Sequence, residues 1–126
     1  MPRILVIDDE SLLRSTVCTI LSREGFTVES AGDGDAGIAS VHKNPPDVVI
    51  TDIFMPNKDG IEIVMELKRC SPHIKIIAMT GGGEARMMEI SHAAELLGAD
   101  LVLRKPFDKS ALLAALKEVL KNSPNL

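Results

Sequence analysis

The stretch "VVITDIFMP", residues 48–56, places an acid, Asp52, directly behind a run of apolar and β-branched residues. Side chains of this type favour strands, and a short continuous apolar run is typical of a parallel strand that is covered on both faces. The same arrangement occurs at residues 3–7, "RILVI", which lead into Asp8 and Asp9. The sequence therefore predicts two buried strands that each end in carboxylates.

Segments with strand and helix patterns alternate from one end of the chain to the other. The five predicted strands cover residues 3–7, 26–31, 47–51, 74–79 and 101–104. Each is followed by a segment of helical periodicity; the fourth of these opens with "GGG" at 81–83, and the fifth begins at Asp108, a good N-cap. Alternation of this kind predicts an α/β fold, in which a five-stranded parallel sheet with right-handed crossovers carries five helices on its two faces.

The apolar positions of the helical segments predict which residues face the sheet, because they recur every three or four residues. In the first helix, which Gly25 should end, the predicted stripe is Leu12, Leu13, Thr16, Val17, Ile20 and Leu21. The inward positions of the third helix are Ile61, Val64, Met65 and Leu67, and those of the fourth are Met87, Ile90, Ala94 and Leu97. In the last helix they are Leu112, Leu116 and Leu120.

Length and composition exclude several classes of protein. The 126 residues suffice for one domain, which we place at 1–121 with a C-terminal tail at 122–126. A formal charge of -4 argues against a surface for nucleic acid or for an anionic membrane. No apolar run approaches the roughly 18 residues of a membrane span. Cys18 and Cys70 lack the spacing of a metal site or a disulfide, so we expect two half-buried thiols in a cytoplasmic protein.

Polar side chains follow four of the five predicted strands. Asp8 and Asp9 come after the first strand, Asp52 after the third, Thr80 after the fourth and Lys105 after the fifth. Because ligands of open parallel sheets bind where the carboxyl ends of the strands meet, we expect these five side chains to lie together. The second strand ends in alanine and glycine, as an outer strand away from such a site could.

The chemistry of this set points to a phosphoryl group. Three carboxylates close together repel one another, so a cation has to lie among them. A hard divalent ion suits ligands that are all oxygen, and Mg²⁺ fits better than zinc because no histidine or cysteine belongs to the set. Three carboxylates, one Mg²⁺ and one lysine sum to zero charge, so the site can accept a phosphoryl group. Asp52 stands alone and central and is the predicted acceptor, since a carboxylate can attack phosphorus.

The other residues at the strand ends receive roles by their charge and hydrogen-bonding capacity. Asp8 and Asp9 are predicted to hold the metal, and Lys105 and Thr80 to bind phosphoryl oxygens. Backbone N–H groups of the loop after the fourth strand can add donors in a small anion-binding nest. The glycines of that loop are Gly81, Gly82 and Gly83.

Four pieces of the sequence resemble the receiver domain of two-component response regulators. They are "VIDDE" at 6–10, "DVVITDIFMPNKDG" at 47–60, "IIAMTG" at 76–81 and "GADLVLRKPF" at 98–107. Each piece is short, but their order and spacing together are highly specific and span nearly the whole chain. The chain is thereby identified as a CheY-like receiver domain, and we expect it to stand alone, since no output domain follows residue 121.

The resemblance implies a flavodoxin-like, doubly wound sheet of strand order 2-1-3-4-5. It implies phosphorylation of Asp52 by a sensor histidine kinase or a histidine phosphotransfer protein. Mg²⁺ would be held by Asp9, Asp52 and the backbone carbonyl of Phe54, with Asp8 acting through the waters of the metal. The resemblance also implies a cis peptide bond before Pro106 and a face for a downstream protein, made by the fourth helix, the fifth strand and the fifth helix.

Three features depart from the pattern of the family. Val102 replaces the Tyr or Phe that usually lies three residues before the lysine of the fifth strand, so the usual aromatic switch is absent. The segment between Thr80 and Lys105 is longer than is common. Phe54 and Gly82 occupy the two positions that tune hydrolysis of the acyl phosphate in the family. Because the Phe54 side chain offers no hydrogen bond to an attacking water, we hypothesise a long-lived phosphorylated state.

Two other functions stay open at the level of sequence. An aspartate-nucleophile phosphohydrolase uses similar groups, but such enzymes typically carry a second acid two residues after the nucleophile, where this chain has Phe54. A non-phosphorylated scaffold of the same fold is the other alternative, which Val102 favours. The complete set of acceptor, metal ligands and lysine favours a signalling domain that catalyses only its own phosphorylation and dephosphorylation.

Overall fold

The described strands and helices alternate in the predicted order as far as the fourth strand, and the fifth strand is followed by the C-terminal helix. The computed structural model describes residues 2–55, 60–81, 92, 95 and 98–121. The strands are β1 (Arg3–Ile7), β2 (Thr27–Ala31), β3 (Val48–Asp52), β4 (Lys75–Thr80) and β5 (Leu101–Arg104). The helices are α1 (Ser11–Arg23), α2 (Gly34–Lys43), α3 (Gly60–Cys70) and the C-terminal helix (Lys109–Leu120). The inward positions predicted for the fourth helix, Met87, Ile90, Ala94 and Leu97, and the tail at 122–126 lie outside the described residues.

The described strands form one parallel sheet of order β2-β1-β3-β4-β5, which confirms the predicted fold class and strand order. Ile7, the last residue of β1, pairs with Ala31 of β2 on one side and with Thr51 of β3 on the other. At the far side of the sheet, Thr80 of β4 pairs with Arg104 of β5. Because the strands are parallel and their ends are aligned, the residues that follow them emerge at one edge.

Apolar side chains pack on both faces of the sheet, which explains why its inner strands are continuously apolar. All five residues of β3 are buried, and successive side chains of a strand point to opposite faces. One cluster combines Leu5 and Val49 of the sheet with apolar residues of α2 and α3. The other combines Val6 and Ile50 with apolar residues of α1 and the C-terminal helix. The helices therefore lie on two faces, as the alternation predicts.

Two helix faces are narrower than the sequence predicts. In α1 the buried residues are Val17 and Leu21, whereas Thr16 is exposed and Leu12 is 75% exposed. Leu12 lies five residues before Val17, which turns its side chain about 140° away from the buried face of an α-helix. In α3, Met65 is 52% exposed, because the buried residues of this helix lie on a different side of it from Met65. The inward assignments of Leu12, Thr16 and Met65 were therefore wrong.

Several local predictions are confirmed. Gly25 follows α1 with a φ of 96°, a left-handed conformation that glycine adopts without strain. The Asp108 side chain accepts a hydrogen bond from the Ala111 N–H at 2.8 Å and so caps the C-terminal helix. Cys18 is half-buried as expected, but Cys70 is exposed because it ends α3, so the prediction was wrong for this thiol. In the described part of the chain, no helix has both the length and the apolar character that crossing a membrane requires.

Candidate functional site

Four of the predicted residues come together at the carboxyl edge of the sheet. Asp8 follows β1, Asp52 and Thr80 are the last residues of β3 and β4, and Lys105 follows β5. Asp8 and Thr80 have no exposed surface, and Asp52 is 7% exposed. Polar side chains are rarely buried to this extent unless they are paired or functional. Their position follows directly from the strand order, which sets β1, β3, β4 and β5 side by side.

The Lys105 ammonium bridges two buried carboxylates. Its Nζ donates to Asp52 Oδ2 at 3.1 Å and to Asp8 Oδ2 at 3.2 Å. The backbone N–H of Lys105 donates to the Thr80 carbonyl at 2.6 Å, which fixes the start of the side chain against the end of β4. The peptide bond before Pro106 is cis, as the resemblance implies. One cation is therefore shared between the ends of two neighbouring strands.

Asp9 completes a cluster of three carboxylates. One carboxylate oxygen from each of Asp8, Asp9 and Asp52 lies within 4.8 Å of the other two. Asp9 is exposed while the other two acids are buried, so the cluster can be reached from solvent. Three negative charges and the single positive charge of Lys105 leave a net charge that a divalent cation balances. An all-oxygen set of this kind suits a hard ion such as Mg²⁺, so these residues fit the metal that the sequence predicts.

The Asp52 carboxylate is held at both oxygens. Oδ1 accepts the Phe54 N–H at 3.1 Å, and Oδ2 accepts the Lys105 ammonium. Burial raises the pKa of the Asp52 carboxyl above its ordinary value; Lys105 and the Phe54 N–H oppose this rise, and the Asp8 carboxylate adds to it. The surroundings of Asp52 therefore disfavour its ionised form on balance, and a further cation beside it would favour that form.

The Lys105 ammonium stays charged at neutral pH. Burial alone would lower its pKa, but the Asp52 and Asp8 carboxylates outweigh burial, so the pKa of Lys105 is raised above its ordinary value. Because that ordinary value is already far above 7, the lysine is a permanent positive charge in the site.

The Thr80 hydroxyl is a buried polar group without a visible partner. Its Oγ1 has no accessible surface and no hydrogen bond to any of the described residues. A buried hydroxyl is normally hydrogen-bonded, and an exception calls for an explanation such as a functional role. The neighbouring threonine Thr51 differs, since its Oγ1 donates to the Asp52 carbonyl at 3.1 Å. Within the part of the chain that the structure describes, Thr80 therefore holds an unused donor at the edge where Asp52 and Lys105 meet.

Phe54 and Gly81 of the flanking loops lie beside Asp52 and Lys105. The backbone of Phe54 contacts Asp52, as described above, while its side chain is 37% exposed. Gly81 is half-buried beside Lys105, since a Cβ added to it would lie 3.8 Å from the Lys105 Cβ. Gly82 and Gly83 lie outside the described residues. The nest predicted from the three glycines therefore stays a prediction.

Val102 occupies the position where the family usually carries an aromatic ring. It pairs with Ala78 of β4, is half-buried and packs against the apolar cluster under α2 and α3. A valine at this position fills part of the core on that face and carries no hydroxyl or ring to reach the edge of the sheet. The local structure thus accommodates the departure without any aromatic side chain.

Two residues that contact the site were not predicted from the sequence. Arg14 of α1 donates from Nη1 to the Asp8 carbonyl at 2.6 Å. Gly60 begins α3 against the end of β3, where an added Cβ would overlap the carbonyl oxygen of Asp52 and lie 2.5 Å from the Ile53 Cα. Gly60 closes the quoted piece at 47–60, so the motif carried a signal for it. Arg14 had none, because helical periodicity does not distinguish a polar residue that folds back onto a strand end.

Comparisons with known proteins agree with this architecture. Residues 4–117 match the family model of the response regulator receiver domain. Response regulator MprA of Mycobacterium sp. (strain KMS) is 35% identical over 122 residues, which cover 96% of this chain and 51% of that protein. Transcriptional regulatory protein TrcR of Mycobacterium tuberculosis (strain ATCC 25618 / H37Rv) is 35% identical over 125 residues, which cover 98% of this chain and 47% of that protein. This chain thus spans about half the length of these curated relatives.

Solved structures give the same result for the fold. The crystal structure of a response regulator receiver domain protein from Clostridium thermocellum is similar to this chain with a TM-score of 0.88 and 33% sequence identity. The similarity covers 96% of this chain and 95% of that one. The fold is therefore similar over nearly the whole of both chains.

Proposed function

Because the chain belongs to the response regulator receiver domain family, we propose that it is a phosphoacceptor of a two-component phosphorelay. Asp52 takes a phosphoryl group from a sensor histidine kinase or a histidine phosphotransfer protein, and a change in conformation then passes the signal to a downstream protein. The observation that supports this function most strongly is the shared ammonium of Lys105, which contacts two buried carboxylates next to a third.

The acceptor step needs an ionised carboxylate at a fixed position. The Phe54 N–H and the Lys105 ammonium hold the two oxygens of Asp52 in place before any donor arrives. One oxygen attacks the phosphorus of a phosphohistidine; the new O–P bond forms as the P–N bond breaks, and the electron pair of that bond stays on the imidazole nitrogen. The product is an acyl phosphate on Asp52. Positioning and charge neutralisation supply most of the protein's share of such a transfer.

Two side chains are available for the oxygens of the transferred group. Lys105 can exchange its contact with a carboxylate for one with a phosphoryl oxygen, which carries more negative charge. The Thr80 hydroxyl has no partner to give up among the described residues, so a hydrogen bond to a phosphoryl oxygen satisfies a buried donor. Movement of Thr80 toward the phosphoryl group would begin the change in conformation at β4.

The metal belongs to the same proposal. Mg²⁺, when held by Asp9, Asp52 and the backbone carbonyl of Phe54, with Asp8 acting through its waters, supplies positive charge for the phosphoryl oxygens. The three acids lie close enough together to share one ion. The same ion would favour ionisation of Asp52, whose pKa burial raises.

The partners rest on membership in the family. The downstream protein is proposed to bind the face made by the predicted fourth helix, β5 and the C-terminal helix. One relative twice as long as this chain is named a transcriptional regulatory protein, so the expectations of a stand-alone chain and of no contact with nucleic acid stay predictions. A cytoplasmic location also stays a prediction. Among the alternatives, the phosphohydrolase lacks its second acid at Phe54, and we do not favour it.

Intact-mass analysis with acetyl phosphate tests the proposal. Wild-type protein is expected to gain one phosphoryl group only when Mg²⁺ is present, and hydroxylamine, which cleaves acyl phosphates, is expected to remove it. Asp52→Ala should gain nothing. Asp108→Asn is the matched control, because it also removes one carboxylate while asparagine keeps the helix cap. Phosphorylation of Asp52→Ala, or a wild type that gains no mass, would contradict the proposal.

A further inference from the structure

Arg14 connects α1 to the first of the acidic residues. It lies in the first turn of α1, and its Nη1 donates to the backbone carbonyl of Asp8 at 2.6 Å. A guanidinium that donates to a carbonyl at this distance forms a charge-assisted bond, which is stronger than a bond between neutral groups. The contact closes a short loop, because the backbone N–H of Arg14 donates to the carbonyl of Glu10 at 3.0 Å. The chain that carries Asp8 and Asp9 is therefore held from both sides.

Every polar atom of the buried Asp8 has a partner. Its N–H donates to the Ala31 carbonyl at 3.2 Å, Oδ1 accepts the Glu10 N–H at 2.9 Å, and Oδ2 accepts the Lys105 ammonium. The carbonyl oxygen is the remaining atom, and Arg14 holds it. That carbonyl belongs to the peptide plane that joins Asp8 to the next residue, so its orientation sets the direction in which the exposed Asp9 side chain leaves the backbone.

A glycine just after the outer strand makes room for the guanidinium. Gly32 directly follows β2, and a Cβ added to it would lie 3.2 Å from Nη1 of Arg14 and 3.7 Å from its Cζ. A contact of 3.2 Å is tighter than an ordinary van der Waals distance, so a Cβ at position 32 requires the Arg14 guanidinium to shift by a few tenths of an ångström. The guanidinium thus lies between the carboxyl ends of β1 and β2. The outer strand contributes to the site through this contact, although it supplies no side chain to it.

We propose that Arg14 is a positioning residue for divalent cation binding, and that Gly32, which has no side chain, leaves the space that the Arg14 guanidinium occupies. The guanidinium fixes the peptide plane between Asp8 and Asp9, so that both carboxylates face the same ion. The choice of ion rests on the function proposed above. A guanidinium that acted only through its positive charge would oppose a cation, so removal of Arg14 would then strengthen metal binding. Positioning predicts the opposite sign.

Binding of Mn²⁺ alone tests the proposal without any phosphoryl transfer. Free Mn²⁺ is measured by electron paramagnetic resonance, and Mg²⁺ is then added as a competitor for the same site. All measurements are made at a temperature at which circular dichroism shows that every variant is folded without metal. Residues that orient metal ligands typically contribute 10- to 100-fold to affinity, so Arg14→Ala should raise the dissociation constant roughly tenfold. Arg14→Lys should also weaken binding, because it keeps the charge but loses the planar fork of donors. Arg23→Ala, which removes one positive charge from the exposed end of the same helix, should bind as wild type does.

A double-mutant cycle separates positioning from general damage to the fold. Gly32→Ala should weaken Mn²⁺ binding several-fold in the wild-type background, because it disturbs the guanidinium. In the Arg14→Ala background the same change should have no further effect, since nothing is left to displace. Equal effects in both backgrounds, or Arg14→Ala binding as tightly as wild type, would overturn the proposal. If wild type becomes phosphorylated and binds Mn²⁺, and Arg14→Ala binds Mn²⁺ equally well, only the role of Arg14 is refuted. If wild type binds no ion, the metal site of the proposed function is refuted as well.

Discussion

The substitution Thr80→Val is expected to stabilise the protein when metal and phosphoryl donor are absent. The Thr80 hydroxyl is buried and has no hydrogen-bond partner among the described residues. A buried polar group in this state costs about 1–3 kcal/mol, and valine has nearly the same shape without the hydroxyl. We therefore expect the free energy of unfolding to rise by about 1–2 kcal/mol. For a domain of this size that corresponds to a Tm higher by roughly 4–8 °C.

Thr51→Val provides the matched control for this prediction. Thr51 is equally buried and lies on the adjacent strand, but its hydroxyl donates to the Asp52 carbonyl at 3.1 Å. The same chemical change there removes a hydrogen bond and should lower the free energy of unfolding by about 0.5–1.5 kcal/mol. Urea unfolding in the presence of a chelator, followed by far-ultraviolet circular dichroism, measures both. If Thr80→Val destabilises the protein as much as Thr51→Val does, the Thr80 hydroxyl is paired and the reasoning is refuted.

The same pair of variants tests the proposed role of Thr80 in binding. Beryllofluoride with Mg²⁺ imitates a phosphoryl group on the acceptor, and a ligand that binds the folded state raises Tm. Wild type and Thr51→Val should show this rise. Thr80→Val should show a smaller rise, because it lacks the hydroxyl that would donate to a fluorine of the beryllofluoride. An equal rise in all three proteins would refute the contact between Thr80 and the phosphoryl group.

Three further outcomes follow from the site. Burial raises the pKa of Asp52 in the folded protein, so ionisation of Asp52 costs stability, and this cost accumulates as pH rises from the unfolded-state pKa of about 4 through the raised folded-state pKa. Asp52→Asn should therefore raise Tm at pH 7 in metal-free buffer; thermal melts across pH should show the gain shrinking as pH falls through the raised pKa and absent below about pH 4. Gly60→Ala should lower the free energy of unfolding by about 1–3 kcal/mol, because its Cβ would overlap the Asp52 carbonyl, and an unchanged midpoint in urea would contradict that close approach. Phe54→Asn should shorten the lifetime of the acyl phosphate, since an amide can hold an attacking water, and equal lifetimes by intact mass would refute the hypothesis of a long-lived state.

The sheet was predictable because two features of the sequence, a continuous apolar run and the polar residues that end it, indicate each inner strand. Continuous apolar runs such as residues 3–7 occur where both faces are covered, and they end in the polar residues that gather at the carboxyl edge of the sheet. The helix faces were less predictable, because a leucine can be apolar without being buried. Leu12 and Met65 match the helical spacing of their neighbours, yet both are largely exposed, since the sheet covers only a narrow stripe of each helix.

The site was predictable to the extent that it follows from topology. Asp8, Asp52 and Lys105 meet because parallel strands bring their carboxyl ends to one edge, whatever the details of packing. The contact between Arg14 and Gly32 depends instead on how α1 lies over the end of β2, and no periodicity in the sequence encodes it. Whether the Thr80 hydroxyl is paired also depends on its surroundings in the folded state. The sequence therefore predicts which polar residues meet at this edge, and the structure shows the groups that hold them.

The bridge between Lys105 and Asp8 has a consequence for biosynthesis. The two residues are 97 positions apart, so the acid leaves the ribosome long before the lysine that neutralises it. Until β5 joins the sheet, Asp8 and Asp52 lack the ammonium that contacts both of them, so burial of the two ionised carboxylates is opposed by their mutual repulsion unless a metal ion or a proton takes the place of the lysine. We therefore expect this edge of the sheet to stay open to water in the nascent chain until synthesis is nearly complete.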